Sequence, residues 1–149
     1  MFEKLSILIV EDNPGDQRLT REAFQEIGVA IKVQMVSTGL DAIDFLEKKG
    51  EFAGAFRPHL IMMDLNLPKL SGRDVLKYVK ESPDLNTIPV IIMSSSESDA
   101  DISEVYKLKG NCYVVKPVDI DDYMKLIQSL VNFWFHQVRY TVGNSNSLK

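Results

Sequence analysis

Glu11 and Asp12, Asp64, Ser94 and Lys116 each follow a short apolar run: Ser6 to Val10, Leu60 to Met63, Val90 to Met93 and Tyr113 to Val115. Three carboxylates brought together in a medium less polar than water repel one another strongly. A hard divalent cation relieves that repulsion, and oxygen ligands with retained waters suit Mg2+. Asn66, two residues beyond Asp64, offers its backbone carbonyl to the same ion. Lys116 can pair with Asp64 or with an anion placed on it, and Ser94 can donate a hydrogen bond to that anion. A carboxylate beside Mg2+, an ammonium and a hydroxyl make a site for receiving a phosphoryl group, because charge on the transferring oxygens is what they stabilise.

Such convergence needs a scaffold that ends its strands at one place. Ser6 to Val10 and Leu60 to Met63 are nearly uniformly apolar, as strands buried on both faces of a parallel sheet must be. The mixed segment from Lys32 to Val36 reads as an edge strand. Helical spacing separates the runs. Leu19, Ala23 and Ile27 recur at four-residue steps with Gly28 as a stop, and residues 39–49 turn Ala42, Ile43, Phe45 and Leu46 inward. Val75, Leu76 and Val79 mark a third helix, and Ile102, Val105, Tyr106 and Leu108 a fourth that stops near Gly110. A long last helix is expected from about Asp119 to Tyr140. Five strands alternating with five helices predict an α/β fold with helices on both sheet faces. Right-handed crossovers leave few orders, and the flavodoxin-like 2-1-3-4-5 is the commonest for units of this size. Its ligand crevice lies beyond the carboxyl ends of strands one and three, where Glu11, Asp12 and Asp64 stand. Residues 1–142 read as one domain that includes the extended last helix, and residues 143–149 as a polar, frayed tail.

Composition narrows the function. The 149 residues carry a net charge of −4, which argues against a nucleic-acid binder with a broad phosphate-neutralising face. No run approaches the roughly 18 apolar residues of a membrane span. The first residues, Met1 to Leu5, lack the features of a signal peptide. A single cysteine, Cys112, permits no internal disulfide and fits the cytoplasm. With His59 and His136 it makes no zinc pattern. His59, at a strand start, is expected at the surface, and Trp134 in the core or an interface.

The chain resembles the receiver domains of two-component response regulators. Glu11-Asp12 resembles that family's acidic pair. Asp64-x-Asn66-x-Pro68-x-x-x-Gly72 matches its spacing around the phosphoacceptor, Ser94 stands where it keeps Ser or Thr, and Tyr113-x-x-Lys116-Pro117 matches its aromatic, lysine and proline. The similarity spans about Leu5 to Leu130. Residues 57–68, Asn111-Cys112-Tyr113 and an aromatic C-terminal segment look like the small stand-alone regulators paired with bacterial and cyanobacterial phytochromes.

The resemblance implies roles. Asp64 would accept phosphate from a sensor histidine kinase of the phytochrome-like kind. Mg2+ would be held by the side chains of Asp12 and Asp64, the backbone of Asn66 and, through water, Glu11. Lys116 would contact the phosphoryl oxygens, Ser94 would move inward to bond them, and Tyr113 would turn in behind it. The peptide before Pro117 would be cis. The surface of the fourth helix, fifth strand and fifth helix would carry the signal, and the only catalysis would be of the chain's own phosphorylation and dephosphorylation. Glu11 in place of the commoner Asp lengthens one acidic arm, and Ser71 replaces a frequent Asp or Asn.

Plainer readings stand beside these. Asp12 could cap the first helix, Ser95 or Ser96 the fourth, and Tyr113 could be ordinary sheet packing. A haloacid-dehalogenase-type aspartyl phosphatase also uses an Asp after a buried strand, but it places an acid two residues on, where Asn66 stands here. A phosphorylation-independent interaction module is the third alternative, and the intact Asp12, Asp64, Ser94 and Lys116 set argues against it. On the last helix, Leu126, Ile127, Leu130, Val131, Phe133, Trp134, Phe135 and Val138 fill an arc of roughly 200°, against about 100° for one core face. The surplus is expected to meet a second copy in a homodimer, or else to fold back on its own domain.

Overall fold

The computed structural model describes residues 5–27 and 30–140. Gly28 as a helix stop, the tail 143–149 and the first four residues therefore lie outside the described part. Strands β1 (Ser6–Val10), β3 (Leu60–Met63) and β4 (Val90–Ser94) are buried at every residue. They form the centre of one five-stranded sheet in the order β2-β1-β3-β4-β5, all pairs parallel. Strands β2 (Lys32–Val36) and β5 (Cys112–Val115), with mixed exposure, take the edges. The order expected from the sequence is the order found.

Side chains alternate between two apolar layers, as the two-residue strand repeat requires. Leu8, Val10, Ile61, Met63 and Ile92 face α2 (Gly39–Glu47), α3 (Gly72–Glu81) and α4 (Asp99–Lys107), where Phe45, Leu76 and Val105 meet them. Ile7, Ile9, Leu60, Met62 and Ile91 face α1 (Pro14–Ile27) and α5 (Ile120–Asn132), through Ala23, Tyr123 and Ile127. Thr38, Ser71, Ser98 and Asp119 each accept a hydrogen bond from the backbone amide three residues on, at Asp41, Asp74, Asp101 and Asp122. These side chains satisfy donors that the helix cannot. The fourth cap is therefore Ser98, not Ser95 or Ser96.

The last helix departs from expectation. Its α geometry ends at Asn132, Phe133–Gln137 forms a π-helical turn, and Val138 is extended at φ −81°, ψ 144°. The chain does not run as helix to Tyr140. Past the turn, Tyr140 donates its hydroxyl to the Trp134 carbonyl at 2.6 Å and sets its ring edge-on to His59. Much of the broad apolar arc is thus covered at home. Ile127, Val131 and Phe135 are buried, Leu126, Leu130 and Trp134 lie partly buried against the same layer, and Phe133 remains 54% exposed. His59 is not a plain surface residue either: its Nδ1 accepts from the Ser6 backbone amide at 3.1 Å. Among the described residues no peptide is cis, the one before Pro117 included.

Candidate functional site

Ladder hydrogen bonding carries one residue past each strand and fixes the backbones of the site. The amide of Glu11 donates to Val36 at 3.0 Å, that of Asp64 to Val10 at 3.0 Å, and that of Lys116 to Ser94 at 2.8 Å. Glu11 and Asp64 therefore stand side by side because Val10 and Met63 are partners across β1 and β3. Ligand oxygens of Glu11, Asp12 and Asp64 all lie within 4.8 Å of one another. The juxtaposition expected from strand ends is present.

Lys116 closes the cluster. Its Nζ donates to Asp64 Oδ2 at 2.8 Å, Glu11 Oε1 at 2.7 Å and Asp16 Oδ2 at 2.9 Å, and its side chain is 10% exposed. Burial works against its charge, yet the bonds to Asp64, Glu11 and Asp16 outweigh burial and hold the ammonium well above the ordinary lysine range. Glu11 is raised as well, which for a carboxyl favours the neutral form: burial raises it, although the bonds from Lys116 and the Asn13 amide pull it down. Asp12 is exposed. It does not cap α1: Asn13 Oδ1 accepts from the Asp16 amide at 2.9 Å and takes that role. The capping explanation for Asp12 is thereby removed.

The segment after Asp64 is held tightly. The Asn66 amide donates to Asp64 Oδ1 at 3.1 Å, orienting the carboxylate. A Cβ on Gly72 would lie 2.2 Å from the Asp64 carbonyl oxygen, so only glycine allows α3 to start this close to the strand end. A Cβ on Gly39 would lie 2.0 Å from the Leu70 carbonyl oxygen. That close approach lets the first amides of α2, on Gly39 and Leu40, bond the carbonyls of Pro68 and Lys69 at 3.3 and 2.9 Å. Lys69 and Leu70 sit at φ 50° and 94°, backbone that side chains rarely adopt and that persists only where the surroundings over-determine it.

Ser94 ends β4 at 1% exposure, whereas Ser95 is exposed, which separates the members of the serine triplet. Ser94 Oγ accepts from the Ser96 amide at 3.2 Å. Tyr113 donates its hydroxyl to the Ser96 carbonyl at 2.9 Å, so the tyrosine is bonded to the loop that follows Ser94 rather than merely packed on the sheet. Sequence reasoning missed Asp16 and Gly39. Asp16 stands in a first helical turn, where the helix dipole favours an acid, and nothing local says that it points back to a lysine 100 residues away. Gly39 could have been noticed directly after its capping Thr38.

Three carboxylates, of Glu11, Asp16 and Asp64, share one ammonium and Asp12 adds a fourth acid beside them, so negative charge is in excess at a set of hard oxygen donors. Those donors suit a divalent cation of the Mg2+ or Mn2+ type.

Residues 7–128 match the response regulator receiver domain family. Response regulator Rcp1 of Synechocystis sp. is 39% identical over 132 residues, 89% of this chain and 90% of that protein. The probable methanogenesis regulatory protein FilR2 of Methanothrix harundinacea is 33% identical over 128 residues, 86% and 82% of the two chains. Among solved structures, the phosphorylated cyanobacterial phytochrome response regulator RcpA superposes with a TM-score of 0.90 at 37% identity, covering 94% of this chain and 100% of that one. The Mn2+-bound form of Rcp1 gives 0.88 at 37% identity, covering 93% and 99%.

Proposed function

The chain belongs to the response regulator receiver family, in which phosphorylation on an aspartate is typical, and from that premise we propose that Asp64 is the phosphoacceptor of a phytochrome-linked phosphorelay. The observation that carries this reading is the environment of the Asp64 carboxylate. One oxygen accepts from the Asn66 amide, the other from Lys116, and ligand oxygens of Glu11 and Asp12 stand within reach of a shared cation.

A sensor histidine kinase would be the donor. As an Asp64 oxygen bonds to phosphorus, the phosphorus–nitrogen bond to the kinase histidine breaks and its electron pair leaves with the imidazole. Lys116, already at hydrogen-bond distance from Asp64, stays beside the new phosphoryl oxygens and offsets their charge. The ion of choice is Mg2+, which Asp12, Asp64, the Asn66 carbonyl and, through water, Glu11 would hold; it would neutralise the carboxylates and the transferring oxygens. Ser94 then donates its hydroxyl to the phosphoryl group. Because Ser96 is bonded to both Ser94 and Tyr113, that movement reaches the surface made by α4, β5 and α5. A phosphoryl group shifts such a surface only through contacts that differ between two states. The chain catalyses nothing beyond its own phosphorylation and dephosphorylation.

Residues 1–142 act as one cytoplasmic module, and no helix among the described residues is long and apolar enough to cross a membrane. Self-association through the end of the last helix belongs to the same proposal, with the exposed Phe133 as its anchor. Sedimentation showing a monomer at tens of micromolar, with and without phosphorylation, removes that part.

Intact mass after incubation with acetyl phosphate and Mg2+ tests the central claim. One slowly decaying phosphoryl adduct, absent in Asp64→Asn, is the expected result. Multiple turnover on small phosphoesters points instead to a phosphatase, and a wild-type protein without an adduct points to an interaction module.

A further inference from the structure

We infer that Arg73 is a positioning residue for the phosphorylation reaction: it restrains the loop between β4 and α4 and so sets how readily Ser94 reaches a phosphoryl group on Asp64. The inference rests on the proposal above that Ser94 moves inward.

Arg73 lies in the first turn of α3, yet its guanidinium bonds three residues in two separate segments. Nη1 donates to the Asn66 side-chain oxygen at 3.3 Å, Nη2 to Asp101 Oδ1 at 2.8 Å, and Nε to Glu104. Asn66 flanks Asp64, whereas Asp101 and Glu104 belong to α4. The chain of bonds continues toward the site. Asp101 Oδ2 accepts from Ser96 Oγ at 2.6 Å, and the Ser96 amide donates to Ser94 Oγ. The same Ser96 hydroxyl accepts from the Ser98 amide at the start of α4, and its carbonyl accepts from Tyr113. The Ser96 hydroxyl, with Arg73 behind it, holds the Asp101 carboxyl below its usual range.

Ser96 is therefore fastened on its outer side to α4 through Asp101, and Asp101 to α3 through a planar fork that a lysine cannot reproduce. Ser94 precedes Ser96 by two residues. Drawing its hydroxyl toward Asp64 pulls Ser96 with it and stretches the bond to Asp101. The Arg73 pairs thus oppose the phosphorylated arrangement. Their side chains are between 27% and 47% exposed, so the opposition is modest and salt-sensitive.

The test uses beryllofluoride with Mg2+, a non-transferable stand-in for the phosphoryl group, and reads its dissociation constant. Arg73→Gln and Ser96→Ala each tighten binding about fivefold, and the double variant tightens it no further, since both open one latch. Arg73→Lys falls between wild type and Arg73→Gln. Urea unfolding without Mg2+ checks that Arg73→Gln folds; if it does not, Glu104→Gln removes one arm and gives about a twofold gain. Unchanged or weaker binding by Arg73→Gln, or additive gains in the double variant, overturns the inference. A structural ion pair alone lowers the unfolding midpoint without moving the beryllofluoride constant. Ser94→Ala separates the two levels. If it weakens binding while Arg73→Gln does not tighten it, the Arg73 inference alone falls; if Ser94→Ala changes nothing, the reading beneath it falls as well.

Discussion

At the amino ends of β1 and β3, Ser6 and His59 answer each other's hydrogen bonds; at the carboxyl ends of the same strands, Glu11, Asp12 and Asp64 crowd together. Ser6 donates its amide to His59 Nδ1, its hydroxyl donates to the Arg57 carbonyl at 3.1 Å, and the His59 amide donates back to Ser6 Oγ at 3.2 Å. Arg57 in turn donates to the Asp84 carbonyl and to Thr87. That end ties loops down through hydrogen bonds to backbone carbonyls and hydroxyls. The other end holds three carboxylates around one ammonium and a fourth, of Asp12, beside them. One sheet thus has an end that serves stability and an end where charge repulsion is kept for use with a cation. A site poised to bind an ion is expected to detract from the stability of the ion-free protein.

Substitutions can break or sharpen this contrast. Lys116→Ala should have the largest effect. It strips Glu11, Asp16 and Asp64 of their shared partner and leaves the buried Glu11 uncompensated, at a cost of about 3–5 kcal/mol in urea unfolding without metal. Added Mg2+ should recover more stability in that variant than in wild type, because the metal replaces the missing positive charge. Equal recovery in both proteins would mean that Lys116 and the metal answer different charges.

Ser6→Ala comes next, at about 1 kcal/mol lost with no change in the rate of phosphorylation by acetyl phosphate. A slower rate would show that the two ends of the sheet are coupled. Asp12→Asn has the smallest effect and the opposite sign. Its carboxylate lies among like charges and outside the reach of the Lys116 bonds, so removal should stabilise the metal-free protein by about 0.5 kcal/mol. The same change should abolish stabilisation by Mg2+. Destabilisation without metal would remove the idea that this end is held in electrostatic tension.

These contrasts bear on how far the sequence could be read. The three central strands announced themselves because a parallel strand buried on both faces must be apolar throughout, the edge strands as short runs between helices, and a polar residue then marks the end. Hence Glu11, Asp64, Ser94 and Lys116 could be named in advance as neighbours. The bonds around them could not. Whether Asp12 or Asn13 caps α1, and whether Ser96 or Ser98 caps α4, turns on side-chain rotamers that residue types leave open. The last helix was overextended for a similar reason. Its apolar arc continues past Asn132 in the sequence, but the backbone widens into a π turn and Val138 leaves the helix.

By itself the sequence determined the alternation of elements and the residue types that arrive at the carboxyl end, since these follow from periodicity and chain connectivity, and it narrowed the strand order to a few. Only the tertiary structure decided that Lys116 also holds Asp16, that Gly39 and Gly72 let neighbouring backbone come within touching distance, and that Arg73 joins α3 to α4 beside the site. Those facts depend on how far side chains reach between elements distant in sequence, a quantity that no local pattern encodes.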